Sequence, residues 1–536
     1  MRLLFLARHA NYFRNFESVI RLWAERGHQV HLAVERGESV GGSALLDRLT
    51  ASYAGVTTGE APRREADEWS SMGARLRRAI DLLRYLEPSY DGTPRLRTRA
   101  AERAPAFAVR FADSAWARVA AARAWLGWLL RRAEAAIPPS RDVAAYLREQ
   151  QADAMLITPL IGVVGSSQPD YLRAARAAQL PTAVAVWSWD HLTSKALIRD
   201  APDRVIVWNE VQRDEAVRLH GIAADHVVVT GAQCFDHWFG RRPSRTRAEF
   251  CAAAGLPDGK PFLLYVGSAL FAGSPSEAGF VQRWIAAIRA STDPALRSCG
   301  ILVRPHPQRM REWDDVDLSA SGDVAVWGGN PITDQARADY FDSLAYSRAV
   351  VGLNTSAFLE AAIAGRPVLA ILPDEFRDNQ EGTLHFGYLS TVAGGVLQTS
   401  RTLDEHGAQL SRMLAAAGDG VNHEPFIRAF LRPHGLDVPA APVFADAVEA
   451  LARARQPHAA PALRSAPAGG RLLLTMLSRM SRSRRFGRWF LDEEDRRARA
   501  WRGEKAQERA AFRRANLDPE AMAEAEKAMR EKREAS

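Results

Sequence analysis

Two short runs in the second half of the chain carry residue types suited to holding an anion. Arg304 to Gln308 reads RPHPQ. Each proline keeps the residue before it extended, so Arg304 and His306 are presented on a stiff loop rather than on a helix. The arginine offers a planar fork for phosphate and the histidine a second donor. Ala349 to Ala370 reads AVVGLNTSAFLEAAIAGRPVLA, the pattern of strand, sharp turn, helix, turn and strand. Asn354, Thr355 and Ser356 are all good helix N-cap residues. Glu360 lies near the helix start, Gly365 ends the helix, and Pro367 prevents its continuation. A helix N-terminus opening at the carboxyl edge of a parallel sheet gathers unpaired N–H groups and the positive dipole end, which favours phosphate. An ordinary capped βαβ helix is the alternative.

Two further clusters lie in the first half. Trp187 to Lys195 reads WSWDHLTSK and brings two tryptophans, Asp190, His191 and Lys195 together on a loop after a strand, where α/β domains place ligands. A capped helix entry with buried tryptophan would look similar. Arg8 to Asn15, RHANYFRN, follows the first strand and offers His9, Asn11 and Arg14. Ser268 opens a polar loop after a later strand. In Leu372 to Phe386, Gln380, Glu381 and His385 are placed to reach a bound ligand.

The elements that must position these groups follow from apolar periodicity. Strands at α/β spacing predict a doubly wound sheet over 1–240, a connection near 231–259, and a second such sheet over 241–455. Between about 60 and 137 the pattern turns Arg-rich and helical, predicting an insertion into the first domain. Its aromatic residues (Trp116, Trp125, Trp128) are expected to pack on that domain; contact with an anionic membrane surface is the alternative. An Ala/Pro/Gly linker spans 456–470. Arg471 to Leu491 mixes a Leu/Met/Phe/Trp face with many arginines and is the strongest candidate for a membrane-surface helix; a docked cationic helix or an RNA-binding tail would read alike. The remainder to Ser536 is sign-mixed and helix-prone.

Composition narrows the classes. A chain of 536 residues can bury two cores. The formal charge is +8, but Arg far outnumbers Lys in an Ala-rich chain. The excess is therefore read partly as compositional bias, and no nucleic-acid partner is expected. Three widely spaced cysteines form neither a disulfide framework nor a zinc pattern. Together with the absence of a signal-peptide pattern, this leads to the expectation of a cytoplasmic protein, held on the inner face of the cytoplasmic membrane if the basic segment binds lipid. No G-x-G-x-x-G, P-loop, H-E-x-x-H or nucleophile-elbow pattern appears, so no cofactor is expected.

Two Rossmann-like halves, the second carrying RPHPQ and GLNTSAFLEAAIAGRPV, resemble the GT-B glycosyltransferase superfamily. They are similar in particular to bacterial capsule-type and 3-deoxy-manno-octulosonate transferases and to CDP-glycerol glycerophosphotransferases. The resemblance covers about Met1 to Arg455, without the insertion. It implies an α/β fold of two Rossmann-like domains facing across a cleft, with a nucleotide-sugar donor on the second and a surface-polysaccharide or lipid-linked glycan acceptor on the first. It further implies that Asn354, Thr355 and Ser356 hold donor phosphate, that Glu360 accepts from the ribose or sugar, and that Arg304 and His306 clamp the diphosphate. The pair of glutamates found in retaining relatives is missing, since position 352 is Gly352. An inverting reaction is therefore expected, and with no D-x-D motif on a loop suited to the donor, no essential metal. Asp190 is the first choice for the base and His9 the second, with Asn11, Arg14 and Lys195 lining the acceptor or donor side. A glycerophosphotransferase, a nucleotide-sugar 2-epimerase and a non-catalytic scaffold remain as rivals.

Overall fold

In the computed structural model the described residues are 1–35, 42–64, 69–160, 166–331, 333–415 and 421–454, with Leu472, Thr475, Met476 and Met480 as isolated positions beyond. The chain divides into two units. The first takes in Met1–Asp236, Thr383–His385 and the segment from Arg428 through the helix Ala440–Ala454; the second takes in His237–Gly382 and Phe386–Ile427.

In the first unit seven strands run parallel: β1 (Arg2–Ala7), β2 (Gln29–Val34), β3 (Val56–Glu60), β4 (Ala154–Thr158), β5 (Thr182–Ala185), β6 (Arg204–Val207) and β7 (Val227–Val229). Their order is β3-β2-β1-β4-β5-β6-β7. Parallel strands covered on both faces read as unbroken apolar runs, and Leu3 to Ala7 and all of β4 are buried. Alternate residues of β1 feed opposite cores. Leu3, Phe5 and Ala7 pack with Phe13, Phe16 and Trp23, whereas Leu4 and Leu6 pack with Ile157, Tyr171 and Val205.

The second unit repeats the plan with β8 (Phe262–Val266), β9 (Gly300–Arg304), β10 (Val324–Val326), β11 (Ala349–Gly352), β12 (Val368–Ile371) and β13 (Leu397–Ser400), all parallel in the order β10-β9-β8-β11-β12-β13. Both sheets reverse direction once, between β1 and β4 and between β8 and β11. Open α/β sheets bind ligands beyond the carboxyl ends of the strands flanking such a reversal. The expected pair of doubly wound Rossmann-like units is therefore present.

The linear boundary at 240 is cut differently in space. The helix Ala440–Ala454 packs in the first unit, where Phe444 meets Phe16 and Trp23 at ring-centroid distances of 5.7 and 6.1 Å. The Asp236 carboxylate accepts from the backbone N–H groups of Ala440 (2.9 Å) and Ala441 (2.7 Å), satisfying donors at the start of that helix. Arg26 reaches Asp446 and Glu449 at 2.7 and 2.6 Å. The expected linker over 456–470 and tail over 471–536 lie outside the described residues, apart from the four isolated positions.

The helical insertion between β3 and β4 comprises, among others, the helices Ser70–Arg84, Pro94–Ala101, Ala106–Asp113 and Ala120–Ala135. Its expected packing holds for Leu82, Leu83, Tyr85 and Leu130, which are buried, but not for Trp116, Trp125 and Trp128, which are 67%, 63% and 51% exposed. The helix Ala120–Ala135 lies on Ser70–Arg84 through only one of its faces, which leaves the tryptophans on the other.

Buried charge fixes the insertion to the sheet. Glu134 is met by Arg77 at 2.8 Å, Arg199 at 2.9 Å and Arg173 at 3.3 Å. Asp170 is met by Arg64 at 3.0 Å and Arg77 at 3.2 Å. Burial opposes the charge on Glu134, yet Arg199, Arg77 and Arg173 outweigh it and hold the carboxyl down to about 2. Removing one member of such a cluster leaves buried charge uncompensated. Glu134→Ala should therefore cost about 3–5 kcal/mol of stability, measurable by denaturant unfolding.

Candidate functional site

The carboxyl edge of the second sheet is assembled by two consecutive residues after β8. Gly267 allows the chain after β9 to pass very close: a Cβ at this position would stand 2.5 Å from the His306 backbone nitrogen. Ser268 then reaches the other way, its Oγ accepting from the Asn354 backbone N–H at 3.1 Å. RPHPQ and the Asn354–Ser356 turn, far apart in sequence, are thus held on either side of one two-residue corner, at the reversal between β8 and β11.

His306 lies at the head of the 3-10 turn Pro307–Trp313, and its Nδ1 accepts from the Gln308 N–H at 3.2 Å. Burial, with Arg309 nearby, pushes it down to about 4. The ring is therefore neutral at pH 7, and with Nδ1 accepting, Nε2 carries the hydrogen as a donor. Arg304 ends β9 and is only 3% exposed. It donates to Ser343 Oγ at 3.0 Å and to the Gly329 carbonyl at 3.4 Å, and it stacks on Trp327 and Tyr340 at 5.5 and 5.2 Å. Gly328, at φ +95°, makes room for it: a Cβ there would overlap the guanidinium. Burial pulls Arg304 below its ordinary value, and among the described residues no carboxylate is within ion-pair distance. Tyr340 donates through its hydroxyl to Glu360, linking Arg304 to the helix that follows the Asn354 turn.

That helix, Ala357–Ile363, has seven residues, so its dipole is short. Of the three expected caps, Thr355 Oγ1 accepts from the Ala357 N–H at 3.3 Å, whereas Asn354 turns its amide to the Asn379 carbonyl. Ser356 makes no side-chain cap bond and is exposed. Gln380 donates to the Leu353 and Ile371 carbonyls at 3.0 and 2.7 Å, tethering the loop after β12. Glu381 pairs with Arg401 on the surface at 2.6 Å. The triplet Asp315-Val316-Asp317 is a D-x-D sequence; both aspartates are exposed, and Asp317 caps the Ser319 N–H at 2.9 Å.

Two residues behind this edge carry no sequence signal. Asn379 accepts from the Phe271 N–H at 2.7 Å and donates to Ser274 Oγ at 2.8 Å. Glu277 accepts from the Ser268 N–H (2.9 Å) and the Tyr265 hydroxyl (3.1 Å). Burial pushes Glu277 up to about 7, against the opposing pull of Ser268, Tyr265 and Arg309.

In the first unit, His9 heads the 3-10 helix Ala10–Phe16 after β1, and its ring stacks on Tyr12 at 6.4 Å. Tyr12 stands edge-on to Trp187 at 5.0 Å. Asn15 donates to the Trp187 carbonyl at 3.0 Å. The loops after β1 and β5 are thereby brought together, with Asn11 and Arg14 exposed beside them. Asp190 accepts from Ser188 Oγ at 2.5 Å and pairs with Lys195 at 2.9 Å, and Lys195 also lies 6.0 Å from the Trp187 ring. Burial works against the charge on Asp190, yet Lys195, His385 and Ser188 outweigh it and hold the carboxyl well below the usual carboxylate range. His385 packs edge-on against Trp189 at 4.8 Å, its Nδ1 3.3 Å from Thr193 Oγ1, and burial pushes it down to about 4.

The insertion holds this loop by its backbone. Arg84 donates to the Leu192 carbonyl and, at 3.0 Å, to that of Lys195. Arg99 donates to the Ser194 carbonyl and the Tyr85 hydroxyl to Lys195 at 3.2 Å. Nothing in the sequence pairs residues 84 and 99 with 192–195.

No protein-family model matches the chain, and no curated protein does. Solved structures similar to it include a glycosyltransferase from Rickettsia africae ESF-5 (10% identity, TM-score 0.48, 84% of this chain and 98% of that one). They also include UDP-GlcNAc 2-epimerase from Methanocaldococcus jannaschii in complex with UDP-GlcNAc and UDP (10% identity, TM-score 0.47, 84% and 100%). A third is Alr3699/HepE from Anabaena in complex with UDP (11% identity, TM-score 0.42, 85% and 98%). At this level of likeness no residue role transfers from them, and the roles below rest on geometry.

Folded Glu277 binds its proton more tightly than a free glutamate at 4.5 does, so the stability it contributes is present below pH 4.5 and lost as pH rises through about 7. Glu277→Gln keeps the acceptor oxygen without the charge. Relative to the parent, the variant should gain up to about 3 kcal/mol between pH 5 and 8, read from denaturant unfolding at each pH; a pH-independent difference would remove the buried, protonated carboxyl.

Proposed function

We propose that this chain is a glycosyltransferase that moves a sugar from a nucleotide-sugar donor to a surface-polysaccharide or lipid-linked glycan acceptor. The observation that carries the reading is the Gly267–Ser268 corner, which holds His306 and the Asn354–Ser356 turn together at the reversal of the second sheet. A neutral histidine carrying its hydrogen on Nε2 and a run of polar side chains over a helix start make a donor-rich edge for a diphosphate. Arg304 acts from behind this edge, adding positive charge and anchoring Tyr340 and through it Glu360, which takes the ribose or sugar hydroxyl.

In the reaction the acceptor oxygen bonds to the anomeric carbon, the bond from that carbon to phosphate breaks, and the nucleoside diphosphate leaves with the electron pair. A base takes the acceptor proton. Asp190 is held ionised by Lys195, which lowers its affinity for a proton; the base is therefore assigned to His9, and Asp190 fixes Lys195. Inversion is the outcome favoured, because Gly352 stands where the retaining pattern has a glutamate; a Cβ there would stand 2.9 Å from the Val266 carbonyl oxygen.

A panel of nucleotide sugars should include one that raises the melting temperature, and its nucleoside diphosphate should do so too; no shift with any member would count decisively against a donor site. His306→Ala should weaken that donor about tenfold to a hundredfold, measured by titration calorimetry. With donor and acceptor identified, His9→Ala should lower kcat by about 10²–10⁴, with loss of the ionisation that limits activity on the acid side of the pH profile. An unaltered profile, with the loss falling instead on Asp190→Asn, would move the base to Asp190. Release of free diphosphate or an epimer without acceptor would identify an epimerase instead.

A further inference from the structure

The outer surface of the helical insertion does not match a water-facing helical surface. On the helix Ala120–Ala135, positions 121, 124, 125, 128 and 129 all face outward, at the i, i+3, i+4 spacing of one helical stripe. They place Ala121, Ala124, Trp125, Trp128 and Leu129 in a row. Trp125 and Trp128 are more than half exposed, and Leu129 is 42% exposed. The turn Ala115–Arg118, which packs beside this helix, adds Trp116, and the helix Ala106–Asp113 adds Phe107, both well exposed. Large aromatics on a solvated surface are normally scattered; here they cluster on adjacent elements of one small bundle.

The charge around them is predominantly positive. Pro105 to Ala133 contains Arg110, Arg118, Arg123, Arg131 and Arg132 against a single acid, Asp113. Asp113 faces Arg97 at 3.7 Å, and Arg123 is drawn inward to Glu87 at 3.3 Å. Three of the four exposed aromatics have another arginine close by in sequence: Phe107 with Arg110, Trp116 with Arg118, Trp128 with Arg132. The last pair is in contact, the guanidinium 5.4 Å from the indole. Tryptophan is the side chain best suited to the boundary between headgroups and acyl chains, and arginine beside it meets lipid phosphate. The next acid along the chain, Glu134, is buried and already neutralised by three arginines, so it does not offset this field.

We infer that this face of the insertion, centred on Trp116, Trp125 and Trp128, docks on an anionic lipid bilayer. The binding is peripheral: the aromatics enter the headgroup layer and the arginines face anionic phosphates, so it weakens with salt and with loss of anionic lipid. The inference stands independently of the proposed reaction, since the residues belong to neither candidate ligand-binding edge.

The test is co-sedimentation of the full chain with vesicles of phosphatidylcholine containing about 30% phosphatidylglycerol, against phosphatidylcholine alone, an anionic content within the range where surface potential acts. The expected result is binding to the anionic vesicles only, reduced by high salt, with a blue shift of tryptophan emission. Trp116→Ser/Trp125→Ser/Trp128→Ser should lower the partition coefficient at least about tenfold. Arg118→Glu/Arg132→Glu should do the same through charge while leaving the tryptophans in place. Circular dichroism and melting temperature of both variants should match the parent, because the tryptophans and Arg118 are exposed and Arg132 is only half-buried; the charge variant gives a second readout if the tryptophan variant misfolds. Unchanged vesicle binding in both variants would overturn the inference and shift lipid binding to the basic segment 471–491. Absence of binding, or an oligomer dissolved by the tryptophan substitutions, would overturn it in favour of a protein partner.

Discussion

A parallel strand covered on both faces can present polar chemistry only where it ends. That constraint governs both units. Every backbone group along β1, β4, β8 and β11 is spent on the sheet or enclosed by apolar side chains, so functional groups collect where the chain leaves the sheet, and most densely where strand order reverses. His9 follows β1, the Gly267–Ser268 corner follows β8, and the Asn354 turn follows β11. The remaining polar residues are chiefly devices that keep these exits in register: Asn15 to Trp187, Ser268 to Asn354, Asn379 to Phe271 and Ser274.

Each unit supports its exits with a buried carboxyl group, and the two are stabilised in opposite ways. Glu134 sits among three arginines and stays charged, joining the insertion to the sheet. Glu277 has hydrogen-bond donors but, among the described residues, no cation in ion-pair contact, and burial drives it toward the protonated form. The first is a strong, rigid tie whose loss exposes several charges at once. The second is a strut that is only partly ionised near neutral pH and sensitive to alkali. Arg304 is the converse case, a buried cation held by aromatic faces, a hydroxyl and a carbonyl rather than by an acid.

The fold was largely legible because the strands are continuous apolar runs bounded by glycine, proline and capping residues, a signal that survives without knowledge of contacts. The candidate positions were legible for the same reason, since each comes directly after a strand. Their surroundings were not. Nothing in RPHPQ says that Arg304 is roofed by Trp327 and Tyr340, or that His306 is neutral, because both depend on burial by residues distant in sequence. The burial of Glu277 and the grip of Arg84 and Arg99 on the 192–195 carbonyls are likewise tertiary. The insertion aromatics show the reverse limit: their helical spacing was evident, but periodicity alone does not say which stripe faces inward, and the tryptophan stripe faces solvent.

The return of the Ala440–Ala454 helix to the first unit bears on how the chain is made. Phe444 and Val448 belong to the same apolar cluster as Phe5, Phe16 and Trp23, so the amino-terminal core lacks a wall until more than four hundred further residues have been translated. The second unit has no such dependence on a distant segment for its β8–β13 sheet. During synthesis the order of completion is therefore inverted: the half that emerges later can close first, while the half that emerges first stays open-sided, with its aromatic core accessible to chaperones, until the helix Ala440–Ala454 arrives.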